Sequence, residues 1–366
     1  MKPWVLQIAH SYKPPFLDCA RQYAALFDRS AFNVLTVYLT GKPDDDVIRG
    51  SASDEVIFLG YQSKHVRGLK LGAIRKIKQI ANSRHFRFCI AHRVKPTYVA
   101  LIGTRLPVIS VHHAFGDYGR LSRRLFIDRF KSRVVMLGVS ESVRDDLCQD
   151  LSSWSSNTIQ ALYNRIDLIA SKATLVSRRD ARTHLGIPQD AYVIGNVGRL
   201  HSDKDQATLI RGFAKAKQRL PANNLLVIMG KGKLEKPLKQ LAADLQIEGT
   251  VIFTGQVKDA KDYFKAFDCF TLTSDREPFG MVLLEAMIAE VPIVCSNCGG
   301  GAEVVNGAGE LFEFGNADGL AAKLIDIAAQ ENQDKIERQN HRLIEHFTDE
   351  AVRTAFWNMP AIQRLA

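Results

Sequence analysis

The sequence predicts an α/β protein made of two doubly wound parallel-sheet units, one in each half of the chain, facing each other across a cleft. Three observations predict it. Short runs rich in Val, Ile and Leu alternate with amphipathic stretches from end to end, the order found where helices cover a parallel sheet. The runs are continuously apolar rather than alternating, as strands buried on both faces are. The length, 366 residues with 46% hydrophobic and 24% charged, exceeds what one core comfortably encloses.

Taken in order, the strand candidates of the first half are VLQIA, NVLTVYL, VIFL, FCIAH, PVISVH, VVMLGVS and TIQALY. Those of the second are AYVIGNVG, NLLVIMG, TVIFTG, CFTLTS, PIVCS and GELFEF. A polar stretch from about Ser171 to Gln189 separates the two sets. Residues 1–175 are therefore expected to form one unit and 176–348 the other. The segment 349–366 reads as a last helix that packs back on the first unit. Asp44-Asp45-Asp46, after Gly-Lys-Pro, reads as a solvated turn. In sheets of this kind ligands bind outside the carboxyl ends of the strands.

Composition excludes several classes. No run approaches the ~20 apolar residues of a membrane-spanning helix, and the N-terminus reads as a first strand rather than a signal peptide. A cytoplasmic protein is expected, with a peripheral position on the cytoplasmic face of the inner membrane as an extension. The six cysteines are scattered, as buried thiols are. Cys295 and Cys298 form a CxxC without a second pair or a nearby His, which argues against zinc. No metal site is expected.

The net charge of +10 is concentrated in the first half. Up to residue 170, 25 Lys and Arg stand against 14 Asp and Glu; beyond it the ratio is 24 to 25. No acid occurs between Val56 and Gly116, and the stretch 64–87 carries eight Lys and Arg with Leu71, Ile74, Ile77 and Ile80 interleaved at helical spacing. The plain reading is a solvated helix face. The acid-free tract favours an anionic partner, and a basic amphipathic helix suits an anionic membrane surface. Aromatic interleaving and a recognised binding motif are both missing, so nucleic acid is not expected.

The second half carries the chemistry. The strand AYVIGNVG ends at Gly198, and GRLHSDKD supplies Arg199 and Lys204, a fork and a point charge suited to a diphosphate. Gly230 and Gly232 bracket the next strand end, where backbone could approach a ligand closely; TVIFTGQV offers another end for a flat base edge. In SDREPFGMVLLEAM, the amides of Phe279, Gly280 and Met281 stand at a helix start, which favours an anion. Glu277 lies at its mouth, and Glu285, expected to face inward about two turns on, would accept hydrogen bonds from a diol. A structural ion pair is the competing reading for Glu285. CGGGAEVV adds Gly299, Gly300 and Gly301 as a further close-approach loop, with Glu303 behind it.

This ordered set, over most of residues 192 to 305, resembles the nucleotide-sugar half of the family-4 glycosyltransferases, retaining enzymes of the GT-B fold. The resemblance implies a nucleotide-diphosphate sugar as donor, no cofactor and no essential metal. It implies that Arg199 and Lys204 hold the donor diphosphate, that Glu277 contacts the transferred sugar, and that Glu285 contacts the nucleotide ribose. A His at the end of the strand PVISVH would bond the donor sugar; spacing favours His112, with His113 as the alternative. Two departures stand out. Where the family often has Gly-Gly after the first strand, this chain has HSYKPP, with Lys13 as a substitute charge; where it has Asn-Gly-x-Asp, this chain has Arg165. Arg93 and Lys95, at another strand end, are expected acceptor or phosphate contacts. The implied acceptor is an anionic glycan or lipid-linked glycan, as in lipopolysaccharide core synthesis. The competing readings are another GT-B enzyme, such as a sugar-nucleotide epimerase, and a non-catalytic nucleotide-binding module at a membrane.

Overall fold

In the computed structural model, which describes residues 2–62 and 64–365, every strand candidate is realised and each sheet is parallel throughout. The first unit comprises Met1–Arg165 and Asp349–Ala366. Its strands are β1 (Trp4–Ala9), β2 (Asn33–Thr40), β3 (Glu55–Tyr61), β4 (Phe86–His92), β5 (Val108–His112), β6 (Val134–Gly138) and β7 (Ile159–Ala161), in the order β3-β2-β1-β4-β5-β6-β7. The second unit, Ile166–Thr348, holds β8 (Tyr192–Val197), β9 (Asn224–Met229), β10 (Val251–Gly255), β11 (Cys269–Leu272), β12 (Ile293–Ser296) and β13 (Glu310–Phe312). Their order is β10-β9-β8-β11-β12-β13. In both sheets the strand order reverses beside the first strand, between β1 and β4 and between β8 and β11.

The units divide ten residues earlier than the polar stretch suggests. Ile166 N–H donates to the Phe347 carbonyl at 2.9 Å, and the helix Leu168–Thr174 lies against the helix Met281–Ile288. Both contacts belong to the second unit. The polar stretch is thus two solvent-facing helices, the second (Arg178–Leu185) capped by the Ser177 side chain, and not a linker. The segment from Asp349 lies in the first unit. Trp357 Nε1 donates to the Leu26 carbonyl at 3.1 Å, and its ring stacks on Phe32 with centroids 5.9 Å apart. Arg165 explains its own departure from the Gly pattern: it is buried, donates to Gln22 through Nε at 3.1 Å, and pairs with Asp349. It ties the C-terminal segment down.

Two local readings change. Asp44-Asp45-Asp46 is solvent-exposed as expected, but Asp44 also caps a helix, accepting from the amides of Asp46 and Val47 to start Asp45–Gly50. In the basic helix Leu71–Ala81, Ile77 is buried while Leu71 is 68% exposed. The second unit carries a buried cation: Arg182 is fully covered and donates to the carbonyls of Ala266 (3.0 Å) and Gln189 (2.6 Å) and to Asp268 (2.8 Å).

Candidate functional site

The best-formed constellation stands at the strand-order reversal of the second unit. Two bonds bind the loops that leave β8 and β11: Thr273 Oγ1 donates to the Lys204 carbonyl at 2.9 Å, and Asp275 N–H to the Asp203 carbonyl at 3.1 Å. So held, Lys204 Nζ reaches Glu277 Oε2 at 2.5 Å, and Ser274 Oγ donates to the same oxygen at 3.2 Å. The two charged side chains are only 18% and 11% exposed, so solvent screens their attraction weakly. Immediately after, Gly280 (φ +95°) turns the chain into Met281–Ile288, and Phe279 buries its ring edge-on to Phe347. The helix starts at Met281, so Glu285 lies one turn inside it and partly exposed, not deep in the core as expected. Arg199 is 73% exposed, 3.3 Å from Asp203.

The glycines let backbone pack closely on backbone. A Cβ on Gly230 (φ +147°) would fall 1.8 Å from the Gly198 carbonyl oxygen, and one on Gly300 would fall 2.3 Å from that of Pro278. Gly300 N–H donates to the Glu277 carbonyl at 2.8 Å. Gly230 and Gly232 let the loops after β8 and β9 pack on each other; Gly299 to Gly301 let their helix back directly onto the turn that carries Glu277. At these positions the structure shows a close approach of the chain's own backbone.

Beside the carboxyl end of β10 lies an open groove of about 520 Å³, lined by Thr254, Gln256, Val257, Lys258, His184 and Tyr263. His184 and Tyr263 stack at 4.5 Å with ring planes 12° apart. Nothing in the sequence singles out this pair, which the fold joins across 79 positions. Cys295 and Cys298 are free thiols. Cys298 Sγ donates to the Ser274 carbonyl at 2.9 Å, and burial pushes both thiols up. Among the described residues no group of three or more His, Cys, Asp or Glu could hold a metal ion.

In the first unit the strand-end histidines divide their roles. His112 is fully buried, with Nε2 2.8 Å from Ser110 Oγ and Nδ1 2.7 Å from Asp117 Oδ2, so neither ring nitrogen faces a ligand. Burial opposes the Asp117 charge, yet the His112 bond, helped by Arg93 and Arg123, holds its carboxyl below the usual range. His113 Nε2 lies 3.0 Å from His92 Nδ1, and His92 Nε2 lies 3.2 Å from Gln7 Oε1. Gln7 Nε2 already donates to the Ala20 carbonyl and Thr36 Oγ1, so its oxygen must accept from His92. The chain of bonds then assigns tautomers: His92 accepts at Nδ1 from His113, whose own Nδ1 is left as an acceptor. The sequence signal for this relay is a single polar residue, Gln7, inside a buried strand. Lys13 is exposed, with its amide on Ser11 Oγ.

Burial, then Arg93 and His112, drive His92 down to about 3. A His with a folded pKa below its unfolded value near 6.5 binds fewer protons when folded. Stability therefore falls as pH drops below about 6.5, down to about 3. Between pH 7.5 and 5, His92 alone should remove about 2 kcal/mol. Thermal unfolding at both pH values should show a smaller acid shift in His92→Gln than in the natural chain; equal shifts would contradict the relay's neutral state.

Residues 177–345 match the family described as Glycosyl transferases group 1. The chain is 27% identical over 282 residues to N-acetyl-alpha-D-glucosaminyl L-malate synthase of Bacillus anthracis, covering 73% of this chain and 71% of that protein. It is 31% identical over 184 residues to the lipopolysaccharide core biosynthesis glycosyltransferase LpsE of Rhizobium meliloti, where the match spans 49% of this chain and 53% of the relative. Among solved structures, a glycosyltransferase from Rickettsia africae superposes with a TM-score of 0.83 at 15% identity, covering 100% and 98% of the two chains. Anabaena HepE in complex with UDP and glucose superposes at 0.75 and 20% identity, covering 97% and 98%. At those identities the likeness is one of fold, and the fold is GT-B.

Proposed function

We propose that this chain, whose residues 177–345 match the group 1 glycosyltransferases and which is similar to an enzyme of lipopolysaccharide core synthesis, transfers a sugar from a nucleotide-diphosphate sugar, with UDP as the base carrier, to a hydroxyl of a glycan or glycolipid with retention at the anomeric carbon. The observation that carries the reading is the Lys204–Glu277 contact at the strand-order reversal, directly before the start of Met281–Ile288. A mere structural pair would need neither the adjoining helix start nor the glycines that seat its turn. In this reading Glu277 accepts from hydroxyls of the transferred sugar. Lys204, Arg199 and the helix start take up the diphosphate charge, Glu285 accepts from the ribose, and the groove at the end of β10 receives the base. UDP is supported by HepE, a GT-B neighbour crystallised with UDP-glucose, and a cell-surface acceptor by the likeness to LpsE.

The transfer breaks the bond between the anomeric carbon and the diphosphate oxygen and forms one to the acceptor oxygen on the same face. The acceptor proton passes to the departing phosphate oxygen. No protein nucleophile is required, so the protein's work is orientation and stabilisation of the leaving charge. A panel of UDP-, GDP-, ADP- and TDP-sugars in a thermal-shift assay tests the donor. At ~100 times its Kd a ligand adds about 2.7 kcal/mol, several degrees for units of this size. A flat response to all four sinks the reading.

The basic stretch 64–87 is proposed to meet an anionic membrane at the cytoplasmic face. Among the described residues no helix is long and apolar enough to cross one, while Arg75, Lys76 and Lys78 stand exposed beside Leu71. Replacing the three by Ala should weaken co-sedimentation with anionic liposomes and flatten its salt dependence; unchanged binding removes the proposal.

A further inference from the structure

A second set of cationic groups occupies the first unit, at the strand-order reversal between β1 and β4. The loop after β1 supplies His10, Arg93 stands directly after β4, and Lys95 lies in the first turn of the helix that follows. One aromatic ring seats two of them: the Arg93 guanidinium lies over Phe16 at 5.2 Å, and the His10 ring meets Phe16 edge-on at 6.0 Å. Lys70 Nζ is held over Tyr98, on the same helix as Lys95 (Val94–Gly103), at 4.3 Å. The groups feel one another: Lys95 and Arg93 add to burial in pulling His10 down, and Lys95 does the same to Lys70. Among the described residues none of the four forms an ion pair with a carboxylate. Asp117, the acid that Arg93 does influence, spends its carboxylate on His112.

Gathering like charges without acids is unfavourable, and surface cations ordinarily avoid it. Here the chain also accepts strain to do so. Arg93 sits at φ +69°, ψ 174°, a region that side-chain residues rarely occupy. It is fixed there by its N–H on the Val111 carbonyl (2.7 Å) and by Thr97 Oγ1 on its own carbonyl (2.9 Å). That conformation accompanies a guanidinium lying on Phe16. His10 Nδ1 is buried and has no hydrogen-bond partner. A preorganised Arg with Lys and an imidazole beside it matches the charge and geometry of a phosphate dianion.

We propose that the strand-order reversal of the first unit binds a phosphate monoester, through Arg93, Lys95, Lys70 and His10. Resting on the proposed reaction, this is a phosphate on the sugar acceptor, so the natural acceptor is a phosphorylated glycan. The site itself does not depend on the donor reading.

Calorimetric titration of the full chain with methyl phosphate and with dimethyl phosphate tests it without any nucleotide present. The Lys204→Ala background weakens the diphosphate site proposed in the second unit, so binding that it leaves unchanged belongs to the first. Methyl phosphate should bind in that background, and more tightly than the diester. Lys95→Ala and Arg93→Gln should each weaken it about tenfold, the scale of one charge-assisted bond. Arg49→Ala, on the exposed face of the helix Asp45–Gly50, should change it less than twofold. Lys95 is exposed, so its variant stays informative if Arg93→Gln fails to fold. Loss of all binding in Lys204→Ala, equal weakening by the helix control, preference for the diester, or no effect of Lys95→Ala would each overturn the site. Failure of the nucleotide panel with methyl phosphate still bound would overturn the donor reading alone.

Discussion

Glu277→Gln should lower sugar transfer by roughly 10²–10³-fold, about 2.7–4 kcal/mol of transition-state stabilisation, while leaving nucleotide affinity within a few-fold. The substitution keeps the shape and the bond from Ser274 Oγ but removes the charge that Lys204 Nζ meets at 2.5 Å. If Glu277 orients the transferred sugar, the loss falls on kcat, because the base, ribose and diphosphate contacts lie elsewhere on the second unit. Lys204→Met should behave differently, raising the donor KM as well as lowering kcat, since it deletes charge meant for the diphosphate. The double variant should cost far less than the product of the two, as groups acting as a unit do. Steady-state kinetics with titrated donor read all three. If Glu277→Gln and Lys204→Met instead leave turnover intact and only lower the unfolding temperature, the pair is architecture and the enzymatic role assigned to it fails.

Arg182→Ala should destabilise the second unit by about 3–5 kcal/mol, the range seen when one partner of a buried pair is removed. Its guanidinium serves three separate segments at once: the Ala266 carbonyl before β11, the Gln189 carbonyl before β8, and Asp268. Asp268 in turn accepts the Val193 amide at 2.7 Å, at the start of β8. Truncation leaves the buried Ala266 carbonyl, the Gln189 carbonyl and a carboxylate with fewer donors, along the two strands whose far ends carry Lys204 and Glu277. At about 2–4 °C per kcal/mol the unfolding midpoint of this unit should drop by roughly 6–20 °C, taking nucleotide-sugar binding with it. A drop of under 2 °C would mean that water replaces the guanidinium, and that Arg182 is not what anchors β8 to β11.

Much of this architecture was legible before any coordinates. Apolar runs of strand length gave all thirteen strands of the described residues, because a strand buried on both faces has little choice of side chain. The stretch Glu277 to Met287 announced a site, because a carboxylate beside an apolar helix start is costly unless something binds it. The domain boundary was misjudged because polarity marks solvent exposure, and exposed helices are as polar as linkers. The strand-end histidines show a different limit. Adjacent residues on a strand end look alike in one dimension, and only the neighbours decide that His112 is enclosed by Ser110 and Asp117 while His113 keeps a ring nitrogen.

By itself, then, the sequence determined the two parallel sheets, their helical cover, the basic first half and the carboxylate set before the helix Met281–Ile288. Only the tertiary structure decided partners: Lys204 with Glu277, 73 positions apart, His92 with Gln7, 85 apart, and Arg93 with Phe16 and the unpaired cations around it. Patterning along a chain is local and records burial. Which loops meet is set by strand order and register, and a parallel sheet brings together carboxyl ends that lie far apart in sequence.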